Sequence, residues 1–197
     1  MNPRPTILVM AAGQGRRFGA DGHKLAQPLG QGTVLTTTIQ HAIETGWPVA
    51  VVTTAELAAS VSPWIATRDL VVLSAAEAAR GMGFSIAAGV AAQAAGRGWL
   101  VLPGDMPLVR PASMLAVGRA LAEHPIAYAQ HRGRQGHPVG FAAELFSELI
   151  GLTGDEGARR LIARYPALPL ELDDPGVLID VDTEADLAAV RAAAGVV

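Results

Sequence analysis

Thr6-Ile7-Leu8-Val9-Met10-Ala11 runs without a charge into the turn Ala12-Gly13-Gln14-Gly15-Arg16-Arg17-Phe18-Gly19. The run is short, and no polar residue alternates through it. A strand of this kind is buried on both faces, as in a parallel sheet covered by helices. The unit recurs along the chain. Segments 48–53, 70–73 and 99–102 read as further strands, and segments 34–44, 55–66, 85–95 and 111–123 as the helices between and after them. Pro63 disturbs the second of these helices, whereas Pro111 falls in a first turn, where a missing N–H costs little. This alternation predicts a doubly wound α/β fold with a mostly parallel sheet flanked by helices. From Ile126 to Leu172 the alternation breaks. Segments 126–130 and 138–141 flank a polar, Gly-rich turn at 131–136 and predict added antiparallel strands. Helices are expected at 145–152 and 157–164 and a strand at 168–172. A closing helix at 184–194 has Thr183 as its cap.

The length of 197 residues predicts a single domain spanning 1–197. Half of the residues are apolar, which suits a packed core and not a disordered chain. No run approaches the roughly 18 continuous apolar residues of a spanning helix, and the first apolar run lacks the pattern of a signal peptide. The expected location is therefore cytoplasmic, with no membrane partner. A formal net charge of −3 and the lack of a basic run argue against a nucleic-acid partner. The sequence has no cysteine, which excludes disulfides, thiolate zinc sites, iron–sulfur clusters and cysteine nucleophiles.

Chemistry can sit in three places. The turn after the first strand carries Gly13, Gly15 and Gly19, with Arg16, Arg17 and then Lys24. Ligands of open α/β sheets bind beyond the carboxyl ends of strands. Glycines there let backbone N–H groups approach an anion, and the cations add donors for phosphate oxygens. A tight turn with solvated basic residues is the bland alternative. The pattern is neither a dinucleotide fingerprint, because Phe18 stands at its third position, nor a P-loop, because Gly19 and Lys24 are too far apart. The second place is Leu102-Pro103-Gly104-Asp105-Met106-Pro107, a carboxylate at the end of a buried strand. Beside phosphates, such a carboxylate suits Mg²⁺; alone, it equally suits an Asp turn. The third place is Asp180-Val181-Asp182, whose carboxylates share one face of an extended segment and repel each other without a cation. Acids before a helix are the alternative, and Asp186 is assigned to that capping role. Two smaller features, Arg80-Gly81-Met82-Gly83-Phe84-Ser85 and Gly154-Asp155-Glu156-Gly157-Ala158-Arg159, each lead into a helix. No two of the five histidines have metal-ligand spacing of the H-E-x-x-H kind.

Taken in order, the turn from Ala11 to Gly19 with Lys24, the Arg80–Ser85 run, Leu102–Pro107 and Asp180-Val181-Asp182-Thr183 through Leu187 resemble the molybdenum cofactor nucleotidyltransferases. Gly136-His137-Pro138-Val139 and the Gly154–Arg159 run resemble the cytidylyltransferase branch of that family. The resemblance implies a nucleotide-diphospho-sugar-transferase-like, Rossmann-like fold. It also implies transfer of CMP from CTP to a molybdopterin-type cofactor phosphate, with release of pyrophosphate, and a molybdoenzyme as recipient of the product. The family pattern places Ala11, Ala12, Gly13, Gly15, Arg17 and Lys24 at the triphosphate and base. It places Gly81, Gly83, Ser85, Pro103 and Gly104 along the nucleotide, and His137 and Arg159 at the acceptor. Asp105 holds Mg²⁺ in that pattern, with Asp180 or Asp182 as second anchor, and Arg17, Lys24 and Asp105 carry catalysis. Ala12, where the guanylyltransferase branch resembles A-G-G, favours the smaller pyrimidine. Gly22-His23 before Lys24 departs from the pattern and lengthens the loop. The competing expectations are a GTP-dependent guanylyltransferase, a sugar- or alcohol-phosphate cytidylyltransferase, a nicotinamide-dependent oxidoreductase and a non-catalytic pterin carrier.

Overall fold

The computed structural model describes residues 4–13 and 22–195. Along the chain, β1 (Thr6–Ala11) leads by way of a two-residue hairpin pair, β2 (Pro28–Leu29) and β3 (Gly32–Thr33), to α1 (Val34–Glu44). Then come β4 (Val49–Thr54), α2 (Ala55–Val61), β5 (Leu70–Leu73), the single turn α3 (Ala75–Ala78), α4 (Met82–Ala92) and β6 (Gly98–Pro103). The second half holds α5 (Pro111–Ala120), β7 (Ile126–His131), β8 (Arg134–Ala142), α6 (Phe146–Ile150), α7 (Arg159–Arg164), β9 (Ala167–Glu171) and α8 (Glu184–Ala193).

The strands form a seven-stranded sheet in the order β5-β4-β1-β6-β8-β7-β9. Only β8 breaks the parallel arrangement, running antiparallel to both β6 and β7. The alternation along β1 shows why a wholly apolar strand was needed. Ile7, Val9 and Ala11 join the core under α1, α5 and α8, while Leu8, Met10 and Ala12 join the core under α4 and α6. The chain leaves β1 towards β4 on one side and returns to β6 on the other. That reversal opens a crevice at the carboxyl ends of β1 and β6, where doubly wound sheets bind ligands.

The boundaries differ from expectation for local reasons. The second helix stops at Val61 instead of reaching Ala66, because Pro63 has no N–H with which to continue the ladder after Ser62. The fourth begins at Met82 rather than Ser85, because Gly81 takes φ +97° at its start. The expected hairpin is present, turning through Arg132 and Gly133 at positive φ. Thr183 caps the last helix in a reciprocal box with Asp186, so Asp186 has its capping role. Among the described residues, no helix is long and apolar enough to cross a membrane.

Candidate active site

A cleft of about 850 Å³ opens at the crevice, and it gathers side chains from every motif singled out above. Asp105 is held there by backbone bonds on both sides. The Gly104 N–H donates to the Met10 carbonyl at 2.9 Å, and the Gly104 carbonyl accepts from the Thr38 hydroxyl at 3.0 Å. A side chain on Gly104 would stand 2.9 Å from Leu35 and 3.0 Å from the Met10 carbonyl, so only glycine lets β6 turn this close to β1. The Asp105 carbonyl in turn accepts from the Val181 N–H at 2.9 Å. Val181 is fully buried. This one bond brings the C-terminal acids to the end of β6.

Asp105, Asp180 and Asp182 each offer an oxygen within 4.8 Å of the others. The Lys24 ammonium donates to Asp105 Oδ2 and to Asp182 Oδ1, both at 2.6 Å. Burial alone lowers the Lys24 pKa, but the Asp105 and Asp182 carboxylates outweigh it and hold the amine above its ordinary value. For Asp180, partial burial and then the Asp105 charge push the carboxyl up. Asp105 Oδ1 is buried and has no hydrogen-bond partner among the described residues. Three hard carboxylate oxygens with an unsatisfied lone pair fit a small divalent cation.

His23, which the sequence offered only as a lengthened loop, ties this corner together. Its Nδ1 accepts from the Leu25 N–H at 3.2 Å. The proton therefore sits on Nε2, which donates to the Gly13 carbonyl at 3.0 Å. The turn bearing Lys24 is thus pinned to the end of β1. Gly15 and Arg17, expected at the phosphates, lie outside the described residues.

Ala12, Gly13, Gly81, Ser85 and Pro103 line the cleft, as do His137 and Arg159. Ala11, Gly83 and Gly104 do not. Ala11 is core. Gly83 packs against the 153–154 backbone, where a side chain would stand 2.7 Å from the Thr153 carbonyl, and its N–H donates to the Gly154 carbonyl at 2.8 Å. Burial lowers the His137 pKa against the opposing effects of the Val101 backbone and the Asp105 charge. Its buried Nδ1 has no hydrogen-bond partner among the described residues.

Other contributors were not among the expected site residues. Arg134 and Asp155 also line the cleft. Asp174 is buried and accepts from the Ser113 hydroxyl at 2.6 Å, the Arg110 N–H at 3.0 Å and the Gly176 N–H at 3.0 Å. It fastens the turn before Asp180 to the start of α5. An Asp before a proline carries no signal that would separate this role from a solvated turn.

A doubly wound sheet with a cleft at its strand reversal, acids from two distant segments and a single ammonium between them defines a nucleotidyltransferase enzyme. The sequence matches the MobA-like NTP transferase domain over residues 7–168, and the chain belongs to that family. It is 30% identical to the purine catabolism protein PucB of Bacillus subtilis (strain 168) over 201 residues, covering 94% of this chain and 95% of PucB. The crystal structure of Rv0371c from Mycobacterium tuberculosis H37Rv superposes with a TM-score of 0.81 at 28% identity, covering 96% of this chain and 98% of that one. The structure of Rv0371c in complex with manganese gives a TM-score of 0.74 at 27% identity, with coverage of 96% and 98%.

Proposed function

We propose that the chain, as one nucleotidyltransferase domain, transfers CMP from CTP to the phosphate of a molybdopterin-type cofactor and releases pyrophosphate, for delivery of the product to a molybdoenzyme. The observation that carries this reading is the meeting of Asp105, Asp180 and Asp182 with Lys24 at the end of β6. Rv0371c has been solved in complex with manganese, which supports a divalent ion for this chain; Mg²⁺ is the ion proposed here. For CTP the support is Ala12 among the residues lining the cleft, where the guanylyltransferase pattern has glycine. For the pterin the support is the ordered motif set, with His137 and Arg159 lining the same cleft.

The chemistry needs two anions to meet. An acceptor phosphate oxygen forms a bond to the α-phosphorus of CTP as the bond from that phosphorus to the bridging β-phosphate oxygen breaks. The acceptor is already ionised at neutral pH, so no side chain has to remove a proton. Positioning and charge compensation are what remain for the protein. Asp105 with Asp180 or Asp182 would hold a divalent ion, whose charge would offset that of the phosphates. Gly13 and Gly15 supply backbone N–H groups to the triphosphate. Arg17 and Lys24 offset the charge of the departing pyrophosphate. Gly81 and Ser85 shape the nucleoside wall, and Arg159 and His137 orient the acceptor.

The test is pyrophosphate release. Release should require CTP, Mg²⁺ and the pterin phosphate together, and Asp105→Asn should abolish it while circular dichroism stays unchanged. Release that is indifferent to the pterin, or near-normal turnover by Asp105→Asn, overturns the reading.

A further inference from the structure

We infer that Lys24 is a tethered stand-in for the divalent ion: its ammonium holds the acidic cluster together and gives up that place when the metal binds, becoming free for the nucleotide phosphates. The inference rests on reading Asp105, Asp180 and Asp182 as metal anchors. Its grounds are particular to this chain. Lys24 is the only lysine in the sequence, every other Lys/Arg position being arginine. An ammonium is a compact point charge with rotatable donors, whereas a guanidinium is a planar fork suited to gripping one carboxylate or phosphate. The single ammonium therefore stands at the one described cluster of three acids, where a small cation is the fitting shape.

The geometry makes the two cations rivals. The Lys24 Nζ lies 2.6 Å from Asp105 Oδ2 and 2.6 Å from Asp182 Oδ1. An ion that bridges Asp105 and Asp182 takes the same two carboxylates and repels the ammonium. The backbone need not move for the exchange. The Lys24 turn is fixed by the Ala26 N–H donating to the His23 carbonyl at 2.9 Å and by the His23 ring on Gly13. Only the flexible four-carbon stem has to swing, and its base is fastened beside Gly13. Metal and nucleotide binding are coupled as a result, because phosphates give the displaced ammonium a new partner. By linkage each ligand then favours the other by the same factor.

The experiment titrates the protein with Mn²⁺ alone and reads the free-ion signal by electron paramagnetic resonance. Lys24→Met, which keeps the stem and drops the charge, should bind Mn²⁺ at least about tenfold more tightly than the unaltered protein without nucleotide. Equal or weaker binding by Lys24→Met overturns the inference. A second measurement guards against a variant that fails to fold. In protein labelled with ¹³Cε-lysine, the single lysine resonance should move towards the free-lysine position as Mg²⁺ is added. A resonance unmoved at metal concentrations that saturate the Mn²⁺ site overturns the inference equally. Failure of the underlying site reading looks different: Mn²⁺ binding is then absent, or is unaffected by Asp105→Asn.

Discussion

Ala12 lines the cleft and is almost wholly buried, so it is a small test of base choice. Replacing it with glycine removes the volume of one methyl. A contact of this size discriminates by only about 1–3 kcal/mol. Ala12→Gly is thus expected to relax a CTP preference towards GTP by about tenfold or somewhat more, read in a competition assay. An unchanged ratio removes position 12 from the base pocket. At this scale the sequence was readable wherever spacing implied geometry. Asp180 and Asp182 flank Val181, and an extended segment must put them on one face while Val181 turns inward. Asp105 follows a strand and a glycine, which places it at a sheet end. His23 and Asp174 were not readable. Their partners, Gly13 and Leu25 for one and Arg110 and Ser113 for the other, are backbone or small hydroxyl groups that leave no pattern.

Among the elements, the β7–β8 hairpin matters most for the acceptor wall, because it carries Arg134 and His137. Its tip is held by Glu171 at the end of β9. That carboxylate accepts from the Gln130 side chain at 3.0 Å, the Gly133 N–H at 3.1 Å and the Arg132 N–H. The Gln130 bond first, then the Gly133 N–H, lower its pKa below the ordinary range. A lowered pKa means that the strap adds stability above the unfolded-state value and loses it as pH falls through the folded one. Glu171→Gln should therefore melt slightly below the unaltered protein at neutral pH, with the gap closing in acid. The same variant should raise the acceptor KM severalfold and leave the CTP KM alone. Identical acceptor kinetics would detach the strap from the site. The hairpin was legible from its polar, Gly-containing turn between apolar runs. The β2–β3 pair was not, since two residues per strand are too few to show a period.

Across the whole molecule, β8 is the seam. It is the antiparallel strand that joins the parallel half carrying the proposed nucleotide wall to the half carrying the proposed acceptor wall. Phe141 lies at that seam, fully buried, paired with Trp99 on β6 and Ile126 on β7. Removing a buried aromatic side chain costs about 3–5 kcal/mol. Phe141→Ala should lower the unfolding free energy by about that amount in urea, with a single transition. Two separate transitions would show that the halves unfold independently. The layered α/β plan was legible because strands such as β1 must be apolar on both faces to sit between helix layers. The order of strands beyond β6 was not, because an antiparallel strand inserted between parallel ones depends on long-range pairing that no local pattern encodes.

The Val181–Asp105 backbone bond has a consequence for how the chain could be shortened. The matched family region ends at residue 168, and the last strand at Glu171. A truncation just past that strand would retain all seven strands of the main sheet and the ammonium. It would shed two of the three carboxylates together with Val177, Val181, Leu187 and Val190, so the grip and the core layer beneath α8 are lost in one cut.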